Sequence, residues 1–293
     1  MEEKTDSVTL DNTKIPCLLF ADDLVLFCNT KEGLQSKLDI LNDYCEEWCL
    51  GINPKKTKVI IFNKSGKLLK YNFHIGTNTI DCTKNYKYLG ITMENSGNFT
   101  EARKQLFQTA IKASFKLCRD MKSATPSIKT FLHLFDHCIK PIALYGCENW
   151  GVINIIQKRK ELNLYDIFKE WESEKVNLKF CKYMLRVSKK CTNIAVLTEL
   201  GRFPMYIDIL KQMFMYWHRL EHSPSNLLNQ AFSEYKNNTK QDSNSWYSNI
   251  FLYSKQINID LAVCKDFGKS KFKFLLKKAL KNNFLNVWTQ ILY

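Results

Sequence analysis

The chain has 293 residues, of which 45% are apolar and 25% charged, with 43 Lys and Arg against 29 Asp and Glu for a formal net charge of +14. That composition excludes an intrinsically disordered chain, and 10 Gly and 6 Pro exclude collagen-like and low-complexity classes. The length suits one large domain or two smaller ones, and the charge points to a polyanionic partner, nucleic acid ahead of a membrane surface.

The opening MEEKTDSVTLDN is polar and carries no apolar h-region, so no secretory signal is visible. No apolar run approaches the roughly 18 residues that span a bilayer, and no membrane partner is expected. Residues 15–28, IPCLLFADDLVLFC, place two apolar runs around Ala21-Asp22-Asp23. That pattern predicts a tight β-hairpin with buried strands and two carboxylates at its tip. Thr30 offers an N-cap and Glu32 a first-turn acid. Leu34, Leu38, Leu41, Cys45 and Trp48 then recur at helical spacing, predicting an amphipathic helix over 31–49 that Asn53-Pro54 stops. Val59-Ile60-Ile61-Phe62 reads as a strand, residues 71–93 as further strands with a turn at Gly76-Thr77-Asn78, and Tyr86–Ile91 as one strand among them.

After Phe99 the pattern turns helical, with helices expected over 100–122, 127–146, 155–185, 204–221 and 270–290. The polar ENSGN at 94–98 marks the boundary. Residues 236–245 are the most loop-like stretch. The expected fold class is α+β. The 11 Cys are scattered, several of them among apolar neighbours (Cys17, Cys28, Cys118, Cys181), as expected of buried reduced thiols in an intracellular protein. Cys45 and Cys49 lack a matching second pair, and His133/His137 and His218/His222 lack the glutamate of a zinc helix.

A pair of hard carboxylate ligands in a basic protein suits Mg²⁺, the ion of phosphoryl transfer. Phe20-Ala21-Asp22-Asp23 between two apolar runs resembles the catalytic F/Y-A-D-D hairpin of reverse transcriptases. Gly33-Leu34-Gln35, followed by Trp48-Cys49-Leu50-Gly51-Ile52-Asn53-Pro54-Lys55-Lys56-Thr57-Lys58, resembles the non-LTR (LINE-type) branch. Tyr86-Lys87-Tyr88-Leu89-Gly90 is similar to that family's primer grip. Segments 139–151, 197–204 and 216–220 are similar to later parts of metazoan retroelement polyproteins.

The resemblance implies a partial polymerase palm over residues 1–95, a helical thumb over 96–152 and a helical C-terminal region over 153–293. It implies RNA-directed DNA synthesis, with an RNA template and DNA primer, or hybrid duplex, as partners. Asp22 would be the Mg²⁺ ligand and Asp23 its neighbour. Lys56 or Lys58 would fall in the motif whose lysine lies near the nucleotide phosphates, where a cation stabilises the leaving pyrophosphate, and Lys55 beside them would bind nucleic acid; a solvated basic turn is the other reading of KKTK. Tyr88, Leu89 and Gly90 would form the tight turn that holds the primer strand, with Gly90 allowing close backbone approach.

Such a palm also needs an aspartate on a separate upstream strand, and Asp6 and Asp11 lack the context for it. The expectation is therefore a fragment that does not polymerise alone, with the missing N-terminal polymerase segment as a partner covering an exposed apolar strand edge. The alternative is a non-catalytic RNA- or DNA-binding remnant. In the last helix Lys273, Lys277 and Lys281 stand beside Leu276, Leu280, Phe284 and Trp288, a basic face suited to a phosphate backbone. Trp150, Trp171, Tyr216 and Trp217 are expected in the core ahead of stacking on bases.

Overall fold

The computed structural model describes residues 6–10, 13–121, 126–151, 163–169, 171–238 and 245–292. It is mixed α and β, as expected, and divides into two compact units after Ala102, several residues beyond the ENSGN stretch.

Among the described residues the first unit holds four antiparallel strand pairs and one long helix. They are β1 (Val8–Leu10) with β2 (Thr13–Ile15), β3 (Cys17–Phe20) with β4 (Asp23–Leu26), α1 (Lys31–Glu47), β5 (Phe73–Ile75) with β6 (Asn78–Ile80), and β7 (Asn85–Tyr88) with β8 (Ile91–Glu94). The first pair was not expected, although Val-Thr-Leu and Thr-Lys-Ile each alternate in the manner of a half-buried strand. The helix begins where its cap predicts: the Thr30 side chain accepts from the Gly33 amide at 3.1 Å. It ends before Asn53-Pro54, because Cys49 turns left-handed at φ +51°.

Leu38, Val59, Phe73, Ile75 and Ile80 form the core of this unit, with Leu26, Leu34, Leu41 and Ile61 against it. The expected strand over 59–62 reduces to a single bridge, Val59 to Cys82. Its apolar residues fill the core and do not build a ladder. The strand expected over 86–91 is instead two strands folded back at Leu89-Gly90. Gln35 docks β5 on α1, donating to the His74 carbonyl at 2.9 Å and accepting from its amide at 3.0 Å.

The second unit is helical: α2 (Thr100–Asp120), α3 (Ile128–Leu134), a π turn (Phe135–Ile139), α4 (Lys140–Ala143), α5 (Cys147–Trp150), α6 (Leu164–Phe168), α7 (Glu172–Leu185), α8 (Asn193–Glu199), α9 (Tyr206–Glu221), α10 (Asn226–Asn238), α11 (Trp246–Gln256), α12 (Leu261–Cys264) and α13 (Lys269–Leu292). The single helix expected over 127–146 is broken. Pro141 has no amide to bond one turn back, and Gly146 is left-handed at φ +67°. The helix expected over 155–185 divides at Trp171, whose extended backbone brings its ring to 4.7 Å from Phe168; residues 155–162 lie outside those described. Of the loop expected over 236–245, residues 236–238 close α10, Ser245 caps α11, and 239–244 lie outside the described residues. The sequence reading did not anticipate α8, α10, α11 and α12.

The core of this unit is built on α9, buried through Ile207, Ile209, Leu210, Met213, Phe214 and Trp217. Trp150 and Trp217 are both 1% exposed and are core as expected, whereas Trp171 and Tyr216 are half-buried, Tyr216 packing edge-on to Trp246.

A polar network crosses this core. Arg202 donates to Asp136 at 2.8 and 3.3 Å, and Lys140 bridges Asp136 and Asp208 at 3.1 and 2.8 Å. Beside it Glu174 is buried, accepting from the Met205 amide at 2.6 Å and from Asn177 at 3.1 Å. Burial pushes the Glu174 carboxyl up to about 7 against the opposing pull of these bonds. Between pH 4.5 and about 7 only the folded state keeps this proton, so Glu174 stabilises the fold below 4.5 and that contribution is lost as pH rises through 7. The loss is on the order of 3 kcal/mol. Denaturant unfolding across this range should show Glu174→Gln gaining stability relative to wild type as pH rises; parallel curves would contradict the assignment.

Candidate functional site

The Asp22-Asp23 turn is built from its base outward. The ladder runs Cys17–Leu26, Leu18–Val25, Leu19–Leu24 and Phe20–Asp23, leaving Ala21 and Asp22 as a two-residue tip. Residues opposite one another share a face, so Asp23 stands with Phe20, and Leu26 with Cys17. Leu26 reaches the core, whereas Leu19 at the other end is 71% exposed and Phe20 62%. The hairpin is therefore rooted at one end and projects at the other. Its strands were expected to be buried; the structure leaves Leu18, Leu19 and Phe20 open instead, the exposed apolar edge that was also anticipated.

Ala21 takes φ +52°, a left-handed conformation that a side chain with a Cβ adopts at a cost of about 1–2 kcal/mol. Asp22 and Asp23 are both exposed, and neither carboxylate is engaged by a Lys or Arg among the described residues. Two hard oxygen donors therefore face solvent at the tip, a set suited to a divalent cation. Among the described residues no group of three His, Cys, Asp or Glu gathers around a common point.

Two residues outside the expected site hold this hairpin. Lys37 is 3% exposed, and its ammonium donates to the Phe27 carbonyl at 2.7 Å, the Pro16 carbonyl at 3.2 Å and Ser7 Oγ at 3.1 Å. Phe27 and Pro16 are the residues that flank the two strands, and the Phe27 amide also donates to Pro16. One buried cation thus clamps both strands to α1 at the base of the hairpin. Asp6 accepts from the Asn29 and Thr30 amides at 3.1 and 2.7 Å. Hydrogen bonds from Thr30 and Asn29 hold its carboxyl below the usual carboxylate range. A Cβ at Gly33 would come within 2.6 Å of Asp6 Cβ, so glycine there lets this second cap approach the start of α1. Lys37 was legible in principle: it falls on the apolar stripe between Leu34 and Leu41.

The other expected residues lie on separate turns. Asn53 Oδ1 accepts from the Lys55 and Lys56 amides, an Asx turn that leaves both side chains exposed. Lys58 instead pairs with Asp81 at 2.6 Å, which lowers the Asp81 carboxyl. Tyr88 ends β7, and Leu89 and Gly90 turn the chain with φ +46° and +84°. A two-residue turn with both angles positive matches the twist of the strands it joins. Here glycine answers a backbone angle.

Residues 2–93 match the model of the reverse transcriptase (RNA-dependent DNA polymerase) family. Through this segment the chain is similar to the reverse transcriptases of non-LTR retrotransposons. It is 27% identical over 158 residues to the probable RNA-directed DNA polymerase from transposon BS of Drosophila melanogaster, covering 48% of this chain and 17% of that protein. It is 30% identical over 147 residues to a putative transposon-derived protein of Caenorhabditis elegans, covering 48% of this chain and 51% of the relative. Over 93 residues it is 34% identical to the Pol polyprotein of the type-1 retrotransposable element R2 of Nasonia vitripennis, covering 29% of this chain and 9% of that protein. The chain therefore spans about half or less of these relatives' lengths. No solved structure matches it significantly.

Lys37→Met would leave the Phe27 carbonyl without its charged donor. Amide hydrogen exchange should then quicken about ten-fold in β3 and β4 relative to the interior of α1, as a loss of about 1.4 kcal/mol requires. Equal changes in the hairpin and the helix would contradict the clamp.

Proposed function

We propose that this chain is part of a retroelement RNA-directed DNA polymerase and that the Ala21–Asp23 turn is its catalytic tip. The observation that carries this reading is the pair of exposed, unengaged carboxylates on the tip of a base-clamped hairpin, within the family-matched segment. In this reading the first unit is part of the palm. Residues 96–152 are the thumb, and 153–293 a helical C-terminal region. The partners are an RNA template and a DNA primer.

Asp22 would hold a divalent cation, Mg²⁺, with Asp23 adding negative field; the ion would supply Lewis-acid charge at the transferring phosphoryl group. Lys56 is the cation open to nucleotide phosphates, with Lys55 beside it, since Lys58 is turned to Asp81. The Tyr88–Gly90 turn would carry the primer strand on its backbone.

The absence of a third acidic group at the tip among the described residues favours a chain that binds nucleic acid but does not by itself complete the reaction. In-line displacement with two metal ions needs carboxylates from more than one strand. A partner segment of the polymerase would supply the remainder and cover Leu18–Phe20.

Mn²⁺ provides the test. It should broaden the amide resonances of Ala21–Leu24, and Asp22→Asn should weaken that effect at least ten-fold. Broadening spread evenly over the surface carboxylates would overturn the metal site. Primer extension on an RNA template by the purified chain should give no product, and template-dependent product abolished by Asp22→Asn would overturn the need for a partner.

A further inference from the structure

The last helix presents a face that the catalytic reading does not use. α13 buries Phe272, Leu276, Leu280, Phe284 and Val287, so its apolar stripe is already committed to the core. The helix carries six Lys and no Asp or Glu. On its outer side Phe274 is 68% exposed, more than any other exposed aromatic described.

Lys271, Lys277 and Lys278 stand three before, three after and four after it, the spacings that make neighbours on a helix surface. All three are exposed, although the Lys271 ammonium also lies 3.8 Å from the centre of the Phe267 ring. Lys281, expected on the same basic face, is half-buried, with its ammonium 4.7 Å from the centre of the Phe203 ring. Lys273 and Lys277 are exposed as expected. The basic face is therefore centred on Phe274 and does not follow the Lys273–Lys277–Lys281 line.

A flat ring held open to water among ammonium groups has a specific chemical complement. Phosphates satisfy the lysines, and an unpaired base covers the ring. A duplex satisfies only the first requirement, because its bases are already stacked. A membrane surface satisfies the charge, but an interfacial helix inserts an apolar face, and here that face is packed inward.

We propose that the Phe274-centred face of α13 binds a single-stranded polynucleotide, with Phe274 stacking on one base and Lys271, Lys277 and Lys278 contacting flanking phosphates. The contacts called on are a base face and phosphates, which RNA and DNA share, so both strands are expected to bind. The inference stands apart from the catalytic tip and survives if that reading fails.

Fluorescence anisotropy on the full chain decides it, using labelled oligoadenylate as ribo and deoxy strands and a blunt RNA duplex. Phe274→Ala should weaken single-strand binding roughly ten-fold and leave duplex binding unchanged. Phe274→Tyr should restore it, which separates a lost stack from a lost fold. Replacing Lys271, Lys277 and Lys278 together by Gln should reduce the slope of log affinity against log salt by about 2. Single-strand binding insensitive to Phe274→Ala would overturn the proposal. So would binding to phosphatidylserine vesicles that depends on Phe274 while oligonucleotide binding does not.

Discussion

The first unit depends on one buried ammonium. Lys37 leaves water with no carboxylate among the described residues to receive it and is held by neutral oxygens of Ser7, Pro16 and Phe27. Burying a charge in this way is tolerable only because its three donors are met. What it secures is direction. The two flanks of the β3–β4 hairpin are fixed to one point on α1, so the far end, carrying Asp22 and Asp23, can protrude without support of its own. Asp6 and Gly33 reinforce the same junction by capping the helix that carries Lys37.

This arrangement accounts for an otherwise unfavourable surface. Leu18, Leu19 and Phe20 lie open along the hairpin, and Ala21 is in a left-handed conformation at its tip. Both features run against the stability of a free-standing unit, and both sit beside the carboxylates. Strain and exposed apolar surface concentrate where a chain meets its partners and substrates. The clamp holds the base of the hairpin to α1 while Leu18, Leu19 and Phe20 stay open.

The short local elements were more legible in the sequence than the way they pack. The Ala21–Asp23 tip, the Thr30 cap, α1 and the buried Trp150 and Trp217 followed from apolar patterning and turn residues, which are local signals, whereas the Leu89-Gly90 turn was implied only by the family resemblance and the pattern alone read 86–91 as one strand. Three kinds of feature escaped. The bridge at Val59 looked like a strand because β-branched residues serve a core as readily as a ladder. The long helices expected over 127–146 and 155–185 were broken by Pro141, Gly146 and Trp171, whose effect depends on what packs beside them. Lys37, Asp6 and the Lys58–Asp81 pair were missed because each joins residues distant in sequence. A lysine on an apolar stripe signals that a polar contact awaits it, but not which carbonyls will supply it.

The central claim is that Asp22 and Asp23 are polymerase carboxylates lacking only neighbours from a further segment. It is tested most directly by fusing this chain behind the preceding polymerase segment of one of its transposon relatives and assaying RNA-templated DNA synthesis. The account predicts template-dependent product with the fusion, lost on Asp22→Asn while RNA binding persists. A folded fusion that binds template and primer yet synthesises nothing, or one whose synthesis is indifferent to Asp22→Asn, would contradict it.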